Sequence, residues 1–268
     1  MLRRGLITAV GAGMALLAAC AAEAPQEVVT LATTATGFLD KSVAVDGQTR
    51  HYALYVPENY SPEKAWPLVV FLHGSGERGN DNLKQTDEGI GHAIRLHRDR
   101  FPALVLMPQC PDGKFWDAAV PVIDAAMAQV QEEYKIDPKA ITLTGLSLGG
   151  FATWIWGATR TDTFAALMPI CGGGEPADVL GRLDEKQSAT FGTMEERVKS
   201  LSTVPIWAFH GADDDVVPPA RSREMVKRVK DAGGDVKYDE LKNTLHNSWD
   251  ATYDNEKAIE WLLKQRKK

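Results

Sequence analysis

A glycine-flanked serine lies where an apolar stretch meets a helical stretch. Gly145-Leu146-Ser147-Leu148-Gly149 follows the apolar run 141–146 and opens the helical pattern 149–159. A sharp strand-to-helix turn holds such a serine in strained backbone geometry and leaves room only for small neighbours. It exposes the serine Oγ at the carboxyl edge of a sheet, beside a helix N-terminus that favours negative charge. The motif therefore predicts a nucleophilic serine, the alternative being a tight glycine turn with a structural serine.

Apolar runs alternate with longer amphipathic stretches along the rest of the chain. This alternation is typical of an α/β fold with a mostly parallel sheet and helices on both faces. An N-terminal antiparallel hairpin is predicted where 41–45 and 49–56 flank Asp46-Gly47. The predicted strands are 67–72, 103–107, 141–146, 165–170, 205–209 and 236–241, of which the first two are predicted to be buried. The predicted helices are 86–98, 118–134, 149–159, 219–232 and 250–266.

Composition excludes several classes of protein. The chain has 268 residues, of which 44% are hydrophobic and 25% charged, so it is neither collagen-like nor disordered. Its 30 basic and 36 acidic side chains give a net charge of −6, with no sustained basic stripe, which argues against a nucleic-acid partner. No repeat or second composition zone is visible, so residues 37–268 are predicted to form a single domain.

The N-terminus has the pattern of an export signal. A short basic segment with Arg3 and Arg4 precedes an apolar stretch too short to span a bilayer, so residues 1–19 are predicted to be a signal peptide. Leu17-Ala18-Ala19-Cys20 resembles the lipobox of bacterial lipoproteins, in which the cysteine is lipidated. Cys20 would then anchor the protein to the cell envelope, at the outer membrane in a Gram-negative cell, with 20–36 as a flexible tether. The alternative is a plain secretory cleavage, which would leave a periplasmic or secreted protein.

A serine nucleophile needs a general base and an acid that orients it. On an α/β fold of this type, the acid and then the histidine follow the serine in the chain. His210 and His246 follow Ser147; His246 is the predicted base, whereas His210, at a strand end, is interpreted as structural. The acid is expected within 213–215, three adjacent aspartates that repel one another, so that one turns inward while two stay solvated.

The developing oxyanion requires two backbone N–H donors. We expect one from Leu148 and the other from the loop after strand 67–72, from Ser75 or else Gly76; His73 is interpreted as fixing that loop. Trp116 and Trp249 are candidate pocket residues beside the catalytic edge. No metal or other cofactor is expected, because three consecutive aspartates converge poorly on one ion.

At these motifs the chain resembles the α/β-hydrolase superfamily. It is similar to bacterial phospholipase/carboxylesterase, polyhydroxybutyrate-depolymerase and feruloyl-esterase-like enzymes, some of them known as predicted peptidases. The matching segments are LYVPENY (54–60), PLVVFLHGSGERGND (67–81), LMPQCP (106–111), LTGLSLGGFATW (143–154), MPICGGGEP (168–176), IWAFHGADDDVVP (206–218) and HNSW (246–249).

The resemblance implies a serine hydrolase that cleaves small-molecule or oligomeric carboxylic esters through an acyl-enzyme, without a cofactor. It places the acid at Asp214, with Asp213 and Asp215 as alternatives. Two rivals stay open: a peptidase of the same fold, and a catalytically idle envelope binding protein.

The resemblance also bears on the cysteines and on one long connection. Its sheet order puts two strands between those preceding Cys110 and Cys171, which is too far for a disulfide, so both are expected to be free and buried. The segment 177–203 is longer than the corresponding link in many such esterases. Residues 186–194 are predicted to form a flexible flap, with Phe191 or Met194 facing the acyl pocket; the alternative is a helix–loop–helix on the outer face.

Overall fold

The apolar runs of the chain form the strands of one central sheet. The computed structural model describes residues 34–181 and 185–268, so the predicted signal peptide, Cys20 and the tether up to residue 33 lie outside the described residues. The strands within them are β1 (Gly37–Val45), β2 (Gln48–Val56), β3 (Trp66–Leu72), β4 (Leu104–Pro108), β5 (Ile136–Leu146), β6 (Leu167–Ile170), β7 (Ile206–Gly211) and β8 (Val236–Leu241).

The sheet has the order β1-β2-β4-β3-β5-β6-β7-β8. β1 and β2 pair antiparallel, as do β2 and β4, and the other neighbours pair parallel. The hairpin turns at Asp46 and Gly47, whose φ values of 50° and 72° suit a two-residue turn with a left-handed backbone. The predicted α/β-hydrolase fold with an N-terminal antiparallel hairpin is therefore confirmed.

Helices cover both faces of the sheet. They are α1 (Ile90–Leu96), α2 (Val120–Glu133), α3 (Leu148–Ile155), α4 (Ala177–Leu180), α5 (Glu185–Phe191), α6 (Met194–Leu201), α7 (Ala220–Asp231), α8 (Trp249–Tyr253) and α9 (Glu256–Lys264). In β3, Leu68 and Val70 face the core shared with α2, α3 and α7, whereas Val69 and Phe71 face the core shared with α1 and α9. A strand buried on both faces explains why its sequence is apolar throughout.

Two predicted helices are shorter than their patterns indicated. The predicted helix 86–98 is reduced to α1, and the predicted helix 250–266 is divided into α8 and α9. The division occurs at Asn255, whose side chain accepts hydrogen bonds from the backbone N–H groups of Lys257 and Ala258 and so caps α9. An Asn N-cap favours the start of a new helix over the continuation of the old one.

Helix α5 (Glu185–Phe191) occupies most of the stretch 186–194 for which a flexible flap is predicted. Helix α5 continues to Phe191, which packs edge-on against Phe115 with ring centroids 6.2 Å apart. The buried guanidinium of Arg197 holds the end of this helix, donating to the carbonyl oxygens of Phe191, Gly192 and Gly174. The spacing of residues in the sequence does not reveal these contacts. The secondary structure of the segment resembles the helix–loop–helix alternative more than a flap.

The cysteine prediction is confirmed for both residues that the structure describes. Cys110 and Cys171 are buried as free thiols, and β3 and β5 lie between the strands that precede them. In the described part of the chain, no helix is both long enough and apolar enough to cross a membrane.

Candidate active site

Ser147 occupies a strained turn between β5 and α3. Its backbone has φ 51° and ψ −114°, an arrangement uncommon for a residue with a side chain. Its N–H donates to the Ile170 carbonyl oxygen at 3.0 Å, which fixes the turn against the neighbouring strand. A Cβ at Gly149 would lie 1.9 Å from the Leu72 carbonyl oxygen, and one at Gly145 would lie 2.5 Å from the Gly149 oxygen. The glycines of the motif are therefore required by close backbone approach.

Three side chains from three different loops meet at this turn. The Ser147 Oγ lies 2.9 Å from His246 Nε2, and His246 Nδ1 lies 2.7 Å from Asp214 Oδ2. A carboxylate only accepts hydrogen bonds, so Nδ1 carries the hydrogen, and Nε2 of the neutral ring is free to accept the Ser147 hydroxyl proton. The structure thus brings the predicted nucleophile, base and first-choice acid into one hydrogen-bonded chain.

Asp214 is the one inward-facing carboxylate of the three adjacent aspartates. Asp213 and Asp215 are exposed, whereas Asp214 is 8% exposed. Its Oδ1 accepts the N–H groups of Val216 at 2.9 Å and Val217 at 2.8 Å. Burial raises the pKa of Asp214, but the hydrogen bonds from His246, Val217 and Val216 outweigh burial and hold this pKa below its usual value. Asp214 is therefore ionised at neutral pH.

A cleft of about 220 Å³ opens beside Ser147. Its walls are partly apolar and partly polar, and they include an ion pair 2.6 Å long between Arg221 and Asp178. The lining residues are Ser75, Ser147, Leu148, Phe151, Asp178, Val179, Val216, Val217, Pro218 and Arg221. A concave cleft that combines apolar walls with a few convergent polar groups is compatible with a small-molecule site.

The three predicted pocket residues lie elsewhere. Trp116 is 1% exposed, and its indole N–H donates to the His73 carbonyl oxygen at 3.3 Å, behind the loop. Phe191 is buried against Phe115. Trp249 stands edge-on to His246 with ring centroids 5.4 Å apart and supports the imidazole from the side. None of the three is among the residues that line the cleft.

Residues that sequence reasoning missed form the cleft walls instead. Val216, Val217 and Pro218 follow Asp214 closely in the chain. Their position in the loop that carries the predicted acid could therefore have indicated that they lie near the site. Val179 and Phe151 reach the cleft from α4 and α3, and only the packing of distant segments places them there.

Two of the three candidate oxyanion donors border the cleft. Leu148 is the first residue of α3, so its backbone N–H has no acceptor within the helix. Ser75 lies opposite, in the loop after β3, and also lines the cleft, whereas Gly76 does not. The Glu77 carboxylate accepts the Gly74 N–H at 2.9 Å and so shapes this loop.

The side chain of His73 also holds the loop that follows β3. It is fully buried, its Nδ1 donates to the Gly74 carbonyl oxygen at 2.6 Å, and its Nε2 accepts the Cys110 N–H at 3.0 Å. Burial lowers the pKa of His73 to about 4, which keeps the ring in the neutral form that these two bonds require. His73 makes the contacts of a loop-fixing residue.

Sequence comparison places the chain in a family. Residues 121–267, more than half of the chain, match the Peptidase_S9 or prolyl oligopeptidase family. The chain belongs to the prolyl oligopeptidase family. The segment that matches this family contains Ser147, Asp214 and His246.

Three of the curated relatives of the chain have the word esterase in their names. The chain is 27% identical over 190 residues to the bifunctional acetylxylan esterase/xylanase XynS20E of Neocallimastix patriciarum, covering 69% of this chain and 24% of that protein. It is 30% identical over 128 residues to a probable feruloyl esterase C of Aspergillus flavus, covering 46% of this chain and 47% of the relative. It is 24% identical over 244 residues to the putative esterase YitV of Bacillus subtilis, covering 78% and 93%. The chain thus spans about a quarter of the first relative and about half of the second.

Solved structures agree with the fold. A thermostable esterase is 34% identical and superposes with a TM-score of 0.71, over 86% of this chain and 63% of the other. A ferulic acid esterase at 15% identity superposes with a TM-score of 0.66, over 85% and 98%, and shows the fold alone. The resemblance to α/β-hydrolase esterases that the sequence motifs indicated is confirmed by these similarities.

One group of described residues has the composition of a metal site, namely Cys171, Asp214 and His246. Burial raises the pKa of the Cys171 thiol to about 12, so this sulfur stays protonated and is a poor ligand. The His246 Nδ1 and the Asp214 Oδ2 are already bonded to each other. The donor set therefore suits hydrogen bonding better than coordination.

Proposed function

We propose that the chain is a serine hydrolase that cleaves carboxylic esters through an acyl-enzyme. The observation that supports this most directly is the continuous chain of hydrogen bonds from Ser147 Oγ through His246 to Asp214, with contacts of 2.9 and 2.7 Å. The esterase names of the relatives and of the 34% identical structure point to the same bond type.

In the first half of the reaction, Ser147 Oγ attacks the ester carbonyl carbon while His246 Nε2 takes its proton. Asp214 stabilises the resulting imidazolium, and the N–H groups of Leu148 and Ser75 stabilise the negative oxygen of the tetrahedral intermediate. The imidazolium then protonates the leaving alcohol. In the second half, His246 takes a proton from water, which attacks the acyl-enzyme carbonyl carbon, and the imidazolium returns the proton to Ser147 Oγ as the carboxylic acid leaves. The net reaction converts ester and water into alcohol and acid.

The same groups could cleave an amide, and the family name favours this second candidate. An alcohol leaves far more readily than an amine, which must be protonated as the C–N bond breaks. The cleft bordering Ser147 is also small and partly apolar, a shape that suits a short acyl group rather than an extended peptide.

A labelling and substrate panel tests the proposal. A fluorophosphonate should label wild-type protein at Ser147, and p-nitrophenyl acetate and butyrate should be hydrolysed faster than the palmitate, because the cleft is about 220 Å³ in volume. Peptide p-nitroanilides and a feruloyl ester complete the panel, with Ser147→Ala as the control. Faster cleavage of the anilides would favour the peptidase, and failure of both labelling and turnover would favour the idle binding protein.

We also propose that the protein is exported and lipidated at Cys20, on the strength of the N-terminal sequence alone. Two or more acyl chains give stable membrane attachment, so the full-length protein should partition into the detergent phase. Cys20→Ser should move it to the aqueous phase or block processing, whereas Cys110→Ser should not. A soluble wild-type protein whose N-terminus begins at Ala22 or later would contradict lipidation and indicate a plain secretory cut.

A further inference from the structure

Asp214 contacts a second imidazole besides His246. His210, at the end of β7, is fully buried, and its Nε2 lies 3.1 Å from Asp214 Oδ2 and 2.9 Å from the Val217 carbonyl oxygen. Its Nδ1 lies 2.7 Å from Ser222 Oγ on α7. The Ser222 hydroxyl, also fully buried, lies 3.0 Å from the Gly172 carbonyl oxygen. The hydrogen-bonded chain that starts at Ser147 therefore continues past Asp214 into the protein.

The hydrogen-bond partners of His210 show which of its ring nitrogens carries a hydrogen. Its Nε2 faces two acceptors, the Asp214 carboxylate and the Val217 carbonyl, so Nε2 carries a hydrogen in either charge state of the ring. Its Nδ1 faces the Ser222 hydroxyl, which has a single hydrogen. In the neutral ring Nδ1 accepts that hydrogen; in the charged ring Nδ1 donates, and Ser222 donates to Gly172. In both states His210 thus keeps a hydrogen on Nε2, which donates to the Val217 carbonyl oxygen and lies in close contact with Asp214 Oδ2.

The charged and titratable groups around His210 decide which state prevails. Burial lowers the pKa of His210, while the Val217 carbonyl and the Asp214 carboxylate oppose this, and His246 adds to the lowering. On β8, Glu240 lies opposite His210 in register, but its carboxylate is paired with Arg223 at 2.6 and 2.7 Å. The Cys171 thiol near Asp214 is protonated because burial raises its pKa. The lowered pKa therefore favours the neutral form of His210.

The second imidazole completes the set of donors around the carboxylate. Oδ1 of Asp214 accepts two backbone N–H groups, and Oδ2 accepts one N–H from His246 and lies 3.1 Å from Nε2 of His210, which also donates to the Val217 carbonyl oxygen. Without His210, three donors would remain, and Oδ2 would be held by His246 alone. The carboxylate could then turn away from the imidazole that it must orient.

We propose that His210 is a positioning residue for the ester hydrolysis proposed above: it fixes Asp214 Oδ2 against His246 Nδ1–H, and Ser222 fixes His210. The role assumes that Ser147, His246 and Asp214 are the reacting groups. His210 also shares the negative charge of Oδ2, so its removal leaves more of that charge to stabilise the His246 imidazolium. His246 would then stay protonated to a higher pH, and the acid limb of kcat/KM would move upward.

Four variants test this role. His210→Leu removes the donor, His210→Gln keeps an N–H donor near the position of Nε2, and Ser222→Ala removes the support of the ring. Tyr253→Phe is the matched control, because it removes a buried hydrogen bond, between Tyr253 and Thr144 at 2.9 Å, that touches none of these groups. Each variant is measured for kcat and KM on p-nitrophenyl acetate, for the pH profile of kcat/KM and for thermal unfolding.

His210→Leu should lower kcat about 10-fold with KM within about twofold, the effect of losing one hydrogen bond to a charged group in the transition state. The acid limb of its kcat/KM profile should move to higher pH by about 0.5 to 1 pH unit. His210→Gln should keep kcat within about threefold of wild type, and Tyr253→Phe should keep both kcat and the acid limb. Wild-type kinetics in folded His210→Leu would overturn the proposal. It would also be overturned if, in all four variants including Tyr253→Phe, the decrease in kcat simply followed the decrease in Tm.

If His210→Leu does not fold, Ser222→Ala and His210→Gln decide the matter. Lower kcat at unchanged KM in Ser222→Ala, with near-normal His210→Gln, supports the role; wild-type kcat and acid limb in both overturn it. The far-downfield proton NMR signal of the His246 Nδ1–H is a readout that needs no turnover. If wild-type protein hydrolyses no ester but this signal still moves in His210→Gln or Ser222→Ala, the proposed function fails while the positioning contact stands.

Discussion

Replacing Ser147 by Ala is expected to lower kcat on p-nitrophenyl acetate by about 10⁴-fold or more, and His246→Ala by a similar factor. The first change removes the attacking oxygen, and the second removes the group that takes its proton. The two losses should not add in the double variant, because nucleophile and base act as one unit. Steady-state kinetics on the purified protein, with active-site titration of the wild type, measures these effects.

Both variants should remain folded, which separates loss of chemistry from loss of structure. Ser147 and His246 are partly exposed, and the alanines leave the core unchanged. Ser202→Ala, directly after α6, and His51→Ala on β2, at positions outside the cleft, serve as matched controls and should retain wild-type kcat. A Ser147→Ala protein with more than about a hundredth of the wild-type rate would show that another group performs the attack, since a missing nucleophile costs far more than that.

Local sequence was sufficient for the features that depend on neighbouring residues. The turn at Ser147 follows from the glycines on either side of it, and the hairpin turn follows from Asp46-Gly47. Strands such as β3 were predictable because burial on both faces makes every residue apolar. The inward turn of Asp214 also has a local cause, because two of its donors, Val216 and Val217, follow directly in the chain.

The features that sequence reasoning missed depend on contacts between distant segments. The end of α5 is held by Arg197 and Phe115, and neither contact has a signature in the spacing of the intervening residues. Trp116 was placed by its loop near the catalytic edge, but its indole turns inward to the His73 carbonyl. His210 was interpreted as structural; it is buried and hydrogen-bonded, and its contact with Asp214 becomes visible only in three dimensions.

The second large effect is expected for Asp214→Asn, which should lower kcat by about 10⁴-fold at neutral pH. An amide has one acceptor atom, whereas Asp214 accepts from donors on both of its oxygens. If the amide oxygen stays with the N–H groups of Val216 and Val217, its NH₂ group faces the His246 ring. The ring then moves its hydrogen to Nε2, where it points at Ser147 and can no longer accept the hydroxyl proton.

Turning the amide round does not rescue the variant. Its oxygen would then accept from His246, but its NH₂ group would face the two backbone N–H groups, so this orientation leaves buried donors unpaired, at a cost of about 1–3 kcal/mol in stability. Asp213→Asn and Asp215→Asn are the matched controls: both side chains are exposed, so kcat should stay within about twofold of wild type. Kinetics and thermal unfolding of the three variants make the comparison. Near-normal kcat in Asp214→Asn, or an equal loss in one of its neighbours, would move the orienting role from Asp214 to another acid.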